Sequence, residues 1–170
     1  MKRIAIAGLL IGAAIYSISS AQADGQFLQI IAAHDEPRRY CVDVIGHRDR
    51  VQLDAPLQAH TCKPGRFNQD ELFDPARMAQ GQLYMPAYQR CLQATGQSLL
   101  IQPCTDKPGQ KWSLSPAGQL SPVANSARCV TLAAGAGRDA GGRAFLARGL
   151  SLSDCSPAAV DRQRWQFKAP

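Results

Sequence analysis

A chain of 170 residues, 45% of them hydrophobic and 19% charged, is long enough for one domain with a proper core and short for two. Its 19 Lys and Arg stand against 13 Asp and Glu, a net charge of +6, and its basic residues are scattered (among them Arg38, Arg39, Arg48, Arg50, Arg138, Arg143, Arg162 and Arg164) rather than gathered along one predicted helix. So mild and dispersed a charge gives no footing for nucleic acid as a partner.

The first predicted element is a leader. Lys2 and Arg3 precede an apolar run from Ile4 to Ile15, and "SSAQAD" then offers a small-residue cleavage site after Ala23. This pattern predicts a secretory signal peptide over residues 1–23, since a membrane span needs about 20 apolar residues. Residues 24–170 form the mature domain, secreted or periplasmic, with 17 basic against 13 acidic side chains. All six cysteines lie in it: Cys41, Cys62, Cys91, Cys104, Cys129 and Cys155. An even count in an exported chain reads as a disulfide framework, for which six cysteines allow fifteen pairings.

Beyond the leader the chain repeats itself three times. A cysteine on a short β-favouring run opens "YCVDV" at Tyr40, "RCLQA" at Arg90 and "RCVTL" at Arg128. A second cysteine closes "LQAHTC", "LLIQPC" and "LSLSDC", and a glutamine follows in "FNQDELF", "PGQKWSL" and "DRQRWQF". The last two complete QxW, at Gln110 to Trp112 and Gln163 to Trp165; the first reads Gln69, Asp70, Glu71. "GQF" at Gly25 and "GQL" at Gly81 and Gly118 stand upstream of the first cysteine of each unit. Four landmarks in one order three times mark internal repetition. Apolar runs of four to six residues alternate with Gly, Pro, Asp and Ser clusters, and no helical period is sustained, so the units are all-β. Each would leave an apolar face bare alone, and closing three into a barrel-like body covers it. The repeat then pairs cysteines within units, 41 with 62, 91 with 104 and 129 with 155, each link contributing about 3 kcal/mol. The segment between Asp70 and Tyr88 has no assigned role.

Paired cysteines followed by QxW, three times over essentially the whole mature chain, resemble the ricin B-type lectins. The resemblance implies a β-trefoil of three cysteine-paired units, with Gln110, Trp112, Gln163 and Trp165 as core framework. It also implies a sugar site built from an Asp shortly after the first cysteine, a Gln four before and an aromatic two before the second, and an Asn directly before the QxW glutamine. Unit one supplies Asp43, Gln58, Asn68 and Gln69, with His60 in the stacking place. An imidazole is planar but small and becomes cationic near its pKa, so weak binding that changes near pH 6 to 7 is expected. Units two and three put Gln93 and Thr131 at the Asp place and Gly109 and Arg162 at the Asn place, so one site is expected.

Other motifs carry less. "GAGRDA" from Gly135 imitates a dinucleotide fingerprint without the βαβ setting that fingerprint needs. His34, His47 and His60 lack zinc-type spacing, so no metal and no cofactor is expected. The chain shows no GxSxG, no HExxH and no cysteine left free as a nucleophile, and it reads as a non-enzyme. The expectation is a secreted carbohydrate-binding domain for galactose or N-acetylgalactosamine-type ligands on a glycan or glycoprotein. The rival is a protein-interaction module, such as a receptor- or subunit-binding component of a secreted toxin, since fold does not fix function.

Overall fold

The computed structural model describes residues 25–63, 65, 68–142 and 144–170. The expected signal peptide over residues 1–23 lies outside the described residues. Among the described residues no helix is long and apolar enough to cross a membrane.

Of the thirteen strands among the described residues, twelve fall into three groups of four. Unit one holds β1 (Gln26–Ile30), β2 (Tyr40–Asp43), β3 (Gln58–Thr61) and β4 (Leu72–Phe73). Unit two holds β5 (Tyr84–Met85), β6 (Arg90–Thr95), β7 (Ser98–Pro103) and β8 (Trp112–Leu114). Unit three holds β9 (Leu120–Pro122), β10 (Arg128–Leu132), an additional short strand β11 (Arg138–Asp139), β12 (Leu146–Asp154) and β13 (Trp165–Lys168). The described elements between them are single-turn or short 3-10 segments, so the chain is all-β, and its three units repeat one wiring around a pseudo-threefold axis: a β-trefoil.

That wiring explains the landmarks. In each unit the middle strands form an antiparallel hairpin, closed by Cys41–Cys62, Cys91–Cys104 or Cys129–Cys155. The first strand of a unit then meets two last strands, its own and that of the preceding unit. Gln26 faces Phe73 within unit one, while Ile30 faces Trp165 of unit three. Trp112 faces Pro122, and Asp74 bridges to Tyr84. Closure of this kind leaves few free strand edges. The GQ landmark sits where these strands cross: the Trp112 and Trp165 amides donate to the Gly81 and Gly118 carbonyls at 2.8 and 2.7 Å. Gly118 adopts φ +89°, and a Cβ there would lie 3.0 Å from the Trp165 carbonyl oxygen, so only glycine fits without displacement.

The core draws the same positions from each unit. The residue after the first cysteine is buried in all three (Val42, Leu92, Val130), as are Phe73, Trp112 and Trp165 on the last strands. Each indole Nε1 donates to the carbonyl of that first residue, Trp112 to Leu92 and Trp165 to Val130, both at 2.9 Å, which satisfies the polar end of a buried ring. Segment 70–88 also packs inward: Phe73, Leu83 and Met85 are fully buried, and Met78 and Tyr88 lie against the same core.

Candidate functional site

In units two and three the QxW glutamine ties the second cysteine to the first. Gln110 Oε1 accepts from the Thr105 amide at 2.7 Å, and its Nε2 donates to the Pro103 carbonyl at 3.0 Å and to Gln93 Oε1 at 3.1 Å. Gln163 repeats this with the Ser156 amide at 2.9 Å, the Asp154 carbonyl at 2.9 Å and Thr131 Oγ1 at 2.9 Å. The shared rule is an acceptor for the amide that follows the second cysteine and an aromatic ring two residues later.

Unit one obeys this rule at a place other than the one expected. The Lys63 amide donates to Glu71 Oε2 at 2.7 Å, and Phe73 fills the tryptophan place, so Glu71 and not Gln69 stands where the other units have glutamine. Gln69 is exposed in a short 3-10 turn, and Asn68 is buried at the start of that turn. The residue directly before the glutamine place is Asp70. The register differs because the position selects an acceptor and an aromatic, and Glu71 with Phe73 meets both demands while Gln69 with Glu71 meets only the first.

A carboxylate cannot donate as the glutamine amide does, and Lys63 takes over that task. Its Nζ lies 2.7 Å from Asp43 Oδ1, 2.7 Å from Asp70 Oδ2 and 3.6 Å from Glu71 Oε1, with all four residues buried. His60 Nδ1 lies 2.8 Å from the Thr61 carbonyl, an acceptor, which assigns the proton to that nitrogen. The same nitrogen is 3.5 Å from Glu71 Oε1, which has no hydrogen bond of its own. Three carboxyls thus share one ammonium and one imidazole. Burial pushes Asp43 up to about 6 against the pull of Lys63, and pushes Glu71 up to about 7 against His60 and Lys63. Burial would lower His60, but Glu71, Asp43 and the Thr61 carbonyl outweigh it and hold it above its ordinary value.

From this cluster a relay runs outward. Asp43 Oδ2 accepts from Gln58 Nε2 at 2.8 Å, and Gln58 Oε1 accepts from Arg138 Nη2 at 2.6 Å. Arg138 reaches across from unit three because the β10–β12 connection is long. Where unit two turns in two residues between Thr95 and Ser98, unit three has an inserted connection of residues 133–145, whose described residues include several that lie against unit one. The insertion is held by β11 on β12, by the Gly137 amide on Asp35 Oδ2 at 2.6 Å, by the Leu146 amide on Thr61 Oγ1 at 2.8 Å and by Arg38 on the Ala144 carbonyl. Between the insertion and unit one lies a cleft of about 760 Å³ lined by residues of both, among them Asp43, Arg50, Gln58, His60, Lys63, Arg138 and Phe145. The half-buried Phe145 ring stands 5.5 Å from the His60 ring at 37° between planes.

Of the five residues singled out in the sequence, Asp43, Gln58 and His60 come together on this cleft, and Asn68 and Gln69 do not line it. Lys63, Arg138 and Phe145 were not singled out for the site. The spacing rule places the flat side chain two residues before the second cysteine of the same unit, whereas Phe145 arrives from unit three. "GAGRDA" runs as a loop into β11 rather than into a helix.

No protein-family model and no curated protein matches the chain. Solved structures do. The β-trefoil lectin of the Vibrio vulnificus hemolysin/cytolysin, solved with N-acetyl-D-lactosamine bound, is similar at 15% identity and TM-score 0.60, covering 88% of this chain and 96% of that one. The C-half of the earthworm R-type lectin in complex with GalNAc is similar at 10% identity and TM-score 0.61, covering 86% and 98%. The cytolethal distending toxin of Actinobacillus actinomycetemcomitans is similar at 19% identity and TM-score 0.59, covering 89% and 94%. At identities this low the structural likeness shows the β-trefoil fold and nothing finer.

Proposed function

We propose that residues 24–170 form an exported, non-catalytic carbohydrate-binding domain whose site is the cleft between unit one and the unit-three insertion. One observation carries this reading: the cleft sets a planar ring, Phe145 beside His60, next to polar groups whose orientation is fixed by Asp43 and Gln58. Sugars are held by such a combination of a flat apolar surface and convergent donors and acceptors. Phe145 is the stacking group in this reading, since His60 is 7% exposed and its Nδ1 turns inward. Asp43 acts one step back, positioning Gln58 rather than meeting hydroxyls itself. Galactose and N-acetylgalactosamine-type sugars, implied by the family resemblance, are the first ligands to try, and the lectin-type neighbours support a glycan as the partner. Three disulfides support an oxidising compartment.

A protein-docking role has less behind it. Among the described residues the large apolar side chains that are exposed are Val123 and Val160, too few for a patch.

The test is an immobilised glycan panel probed with the mature, oxidised protein beside Phe145→Ala and Gln58→Ala, each checked by thermal unfolding. Loss of a stacking ring or of a fixed polar group should weaken binding at least about tenfold with the fold intact. A well-folded wild-type protein that binds nothing on the panel sinks this reading.

A further inference from the structure

We propose that the cleft selects a saccharide bearing a carboxylate, with the Arg138 guanidinium as its partner. This rests on the carbohydrate reading above and adds the ligand's charge.

The argument begins at Asp43. A carboxylate on a sugar site ordinarily accepts from neighbouring hydroxyls, but both oxygens here are engaged, Oδ1 by Lys63 at 2.7 Å and Oδ2 by Gln58 at 2.8 Å, and the residue is 1% exposed. Its effect is passed on instead. Because Asp43 takes the Gln58 amide nitrogen, the Gln58 oxygen must point the other way, and that oxygen accepts from Arg138 Nη2 at 2.6 Å. The relay therefore ends in a donor and not an acceptor.

Arg138 is exposed and lines the cleft. Of its five N–H donors, those beyond the Gln58 bond have no partner among the described residues. A planar fork anchored at one nitrogen is suited to a planar oxyanion, which it can meet with two parallel hydrogen bonds. Arg50, in the loop between β2 and β3, lines the same cleft, is exposed, and makes no ion pair among the described residues. The one acid on the lining, Asp43, is 1% exposed with both oxygens bonded inside the protein, and Asp70 and Glu71 are buried around the same Lys63 ammonium, so none of the three offers an open carboxylate to a ligand. Asp49 and Asp139, the acids beside these arginines in the sequence, do not line the cleft. The surface a ligand meets is thus rich in donors and cationic at its rim, the reverse of a site built around an open carboxylate.

The experiment measures the affinities of lactose, sialyllactose, the methyl ester of sialyllactose and sulfated lactose for the mature wild-type protein and for Arg138→Gln. Lactose and the ester isolate the charge from the sugar. The wild type should bind sialyllactose about tenfold more tightly than lactose or the ester, and Arg138→Gln should bring that ratio to within about twofold with thermal unfolding unchanged. Equal affinities for sialyllactose and its ester overturn the proposal while leaving the carbohydrate reading in place, as does a preference that survives Arg138→Gln. Sulfated lactose binding as tightly as sialyllactose overturns the choice of carboxylate. Absence of binding to all four saccharides overturns this proposal, and it reaches the underlying reading only if the wider panel is silent too.

Discussion

Glu71 shows how one side chain can keep a structural role and change everything around it. It preserves the acceptor that the amide after the second cysteine requires, yet brings a charge into a place where units two and three have a neutral amide, so Lys63 is drawn in to bridge it to Asp43 and Asp70. The consequence for stability has a definite sign. A carboxyl whose pKa lies higher in the folded chain than in the unfolded one binds its proton more tightly when folded, so its contribution grows as pH falls. For Glu71, pushed up to about 7 from an ordinary 4.5, stability should rise as pH is lowered through that window; Asp43, pushed up to about 6, acts the same way somewhat lower. His60, also raised, contributes stability that is full below its ordinary value and lost as pH climbs through its folded one. Asp35 and Glu36 are held below their ordinary values by hydrogen bonds that outweigh their burial, so the trend reverses in stronger acid. Urea unfolding across pH 4 to 8 should therefore show greater stability near 5 than at 8. Glu71→Gln should flatten that rise and gain roughly 1–3 kcal/mol at pH 8. A wild-type profile that is flat or climbs from pH 5 to 8 would show that the cluster is neutralised in some other way.

At the level of elements, the insertion between β10 and β12 forms one wall of the cleft, and one of its tethers to unit one has room only for a glycine. Tyr40 donates from its hydroxyl to Asp35 Oδ1 at 2.9 Å, while Asp35 Oδ2 takes the Gly137 amide at 2.6 Å. A Cβ on residue 137 would lie 2.4 Å from that hydroxyl and 2.9 Å from the Leu146 Cβ. Tyr40 is fully buried and cannot swing aside, so the insertion must lift. Gly137→Ala should cost about 1–3 kcal/mol, lower Tm by about 2–8 °C, speed amide exchange across residues 136–146 and weaken saccharide binding through Arg138 and Phe145. Unchanged exchange in that segment would mean that the tether is slack and the cleft wall is held elsewhere.

For the molecule as a whole, the part of the design that could be read in the sequence is the part that is local. The cysteine pairs, the QxW of units two and three and the GQ landmarks each lie within a unit, and three copies in one order point to a closed body of three hairpins. The register of unit one was legible in principle, because Phe73 stands two residues after Glu71, but matching the letter Gln rather than its acceptor role selected Gln69. The cleft was not legible, since Arg138 and Phe145 come from unit three and meet Gln58 and His60 only after the ring has closed, and no spacing rule links positions so far apart. The closing seam has a further consequence. Phe27 and Lys168 are paired partners in one antiparallel ladder, so the last strand of the trefoil lies beside its first. A short linker could join them, and the chain could be opened instead between the exposed Pro116 and Ala117, where no disulfide is crossed. Such a circular permutant should unfold in one cooperative transition near the wild-type Tm and bind the same saccharides; a broad or split transition would show that the order of the three units along the chain matters to the fold. The starting point of this polypeptide would then be a matter of genetics, and the folded ring itself would have no first unit.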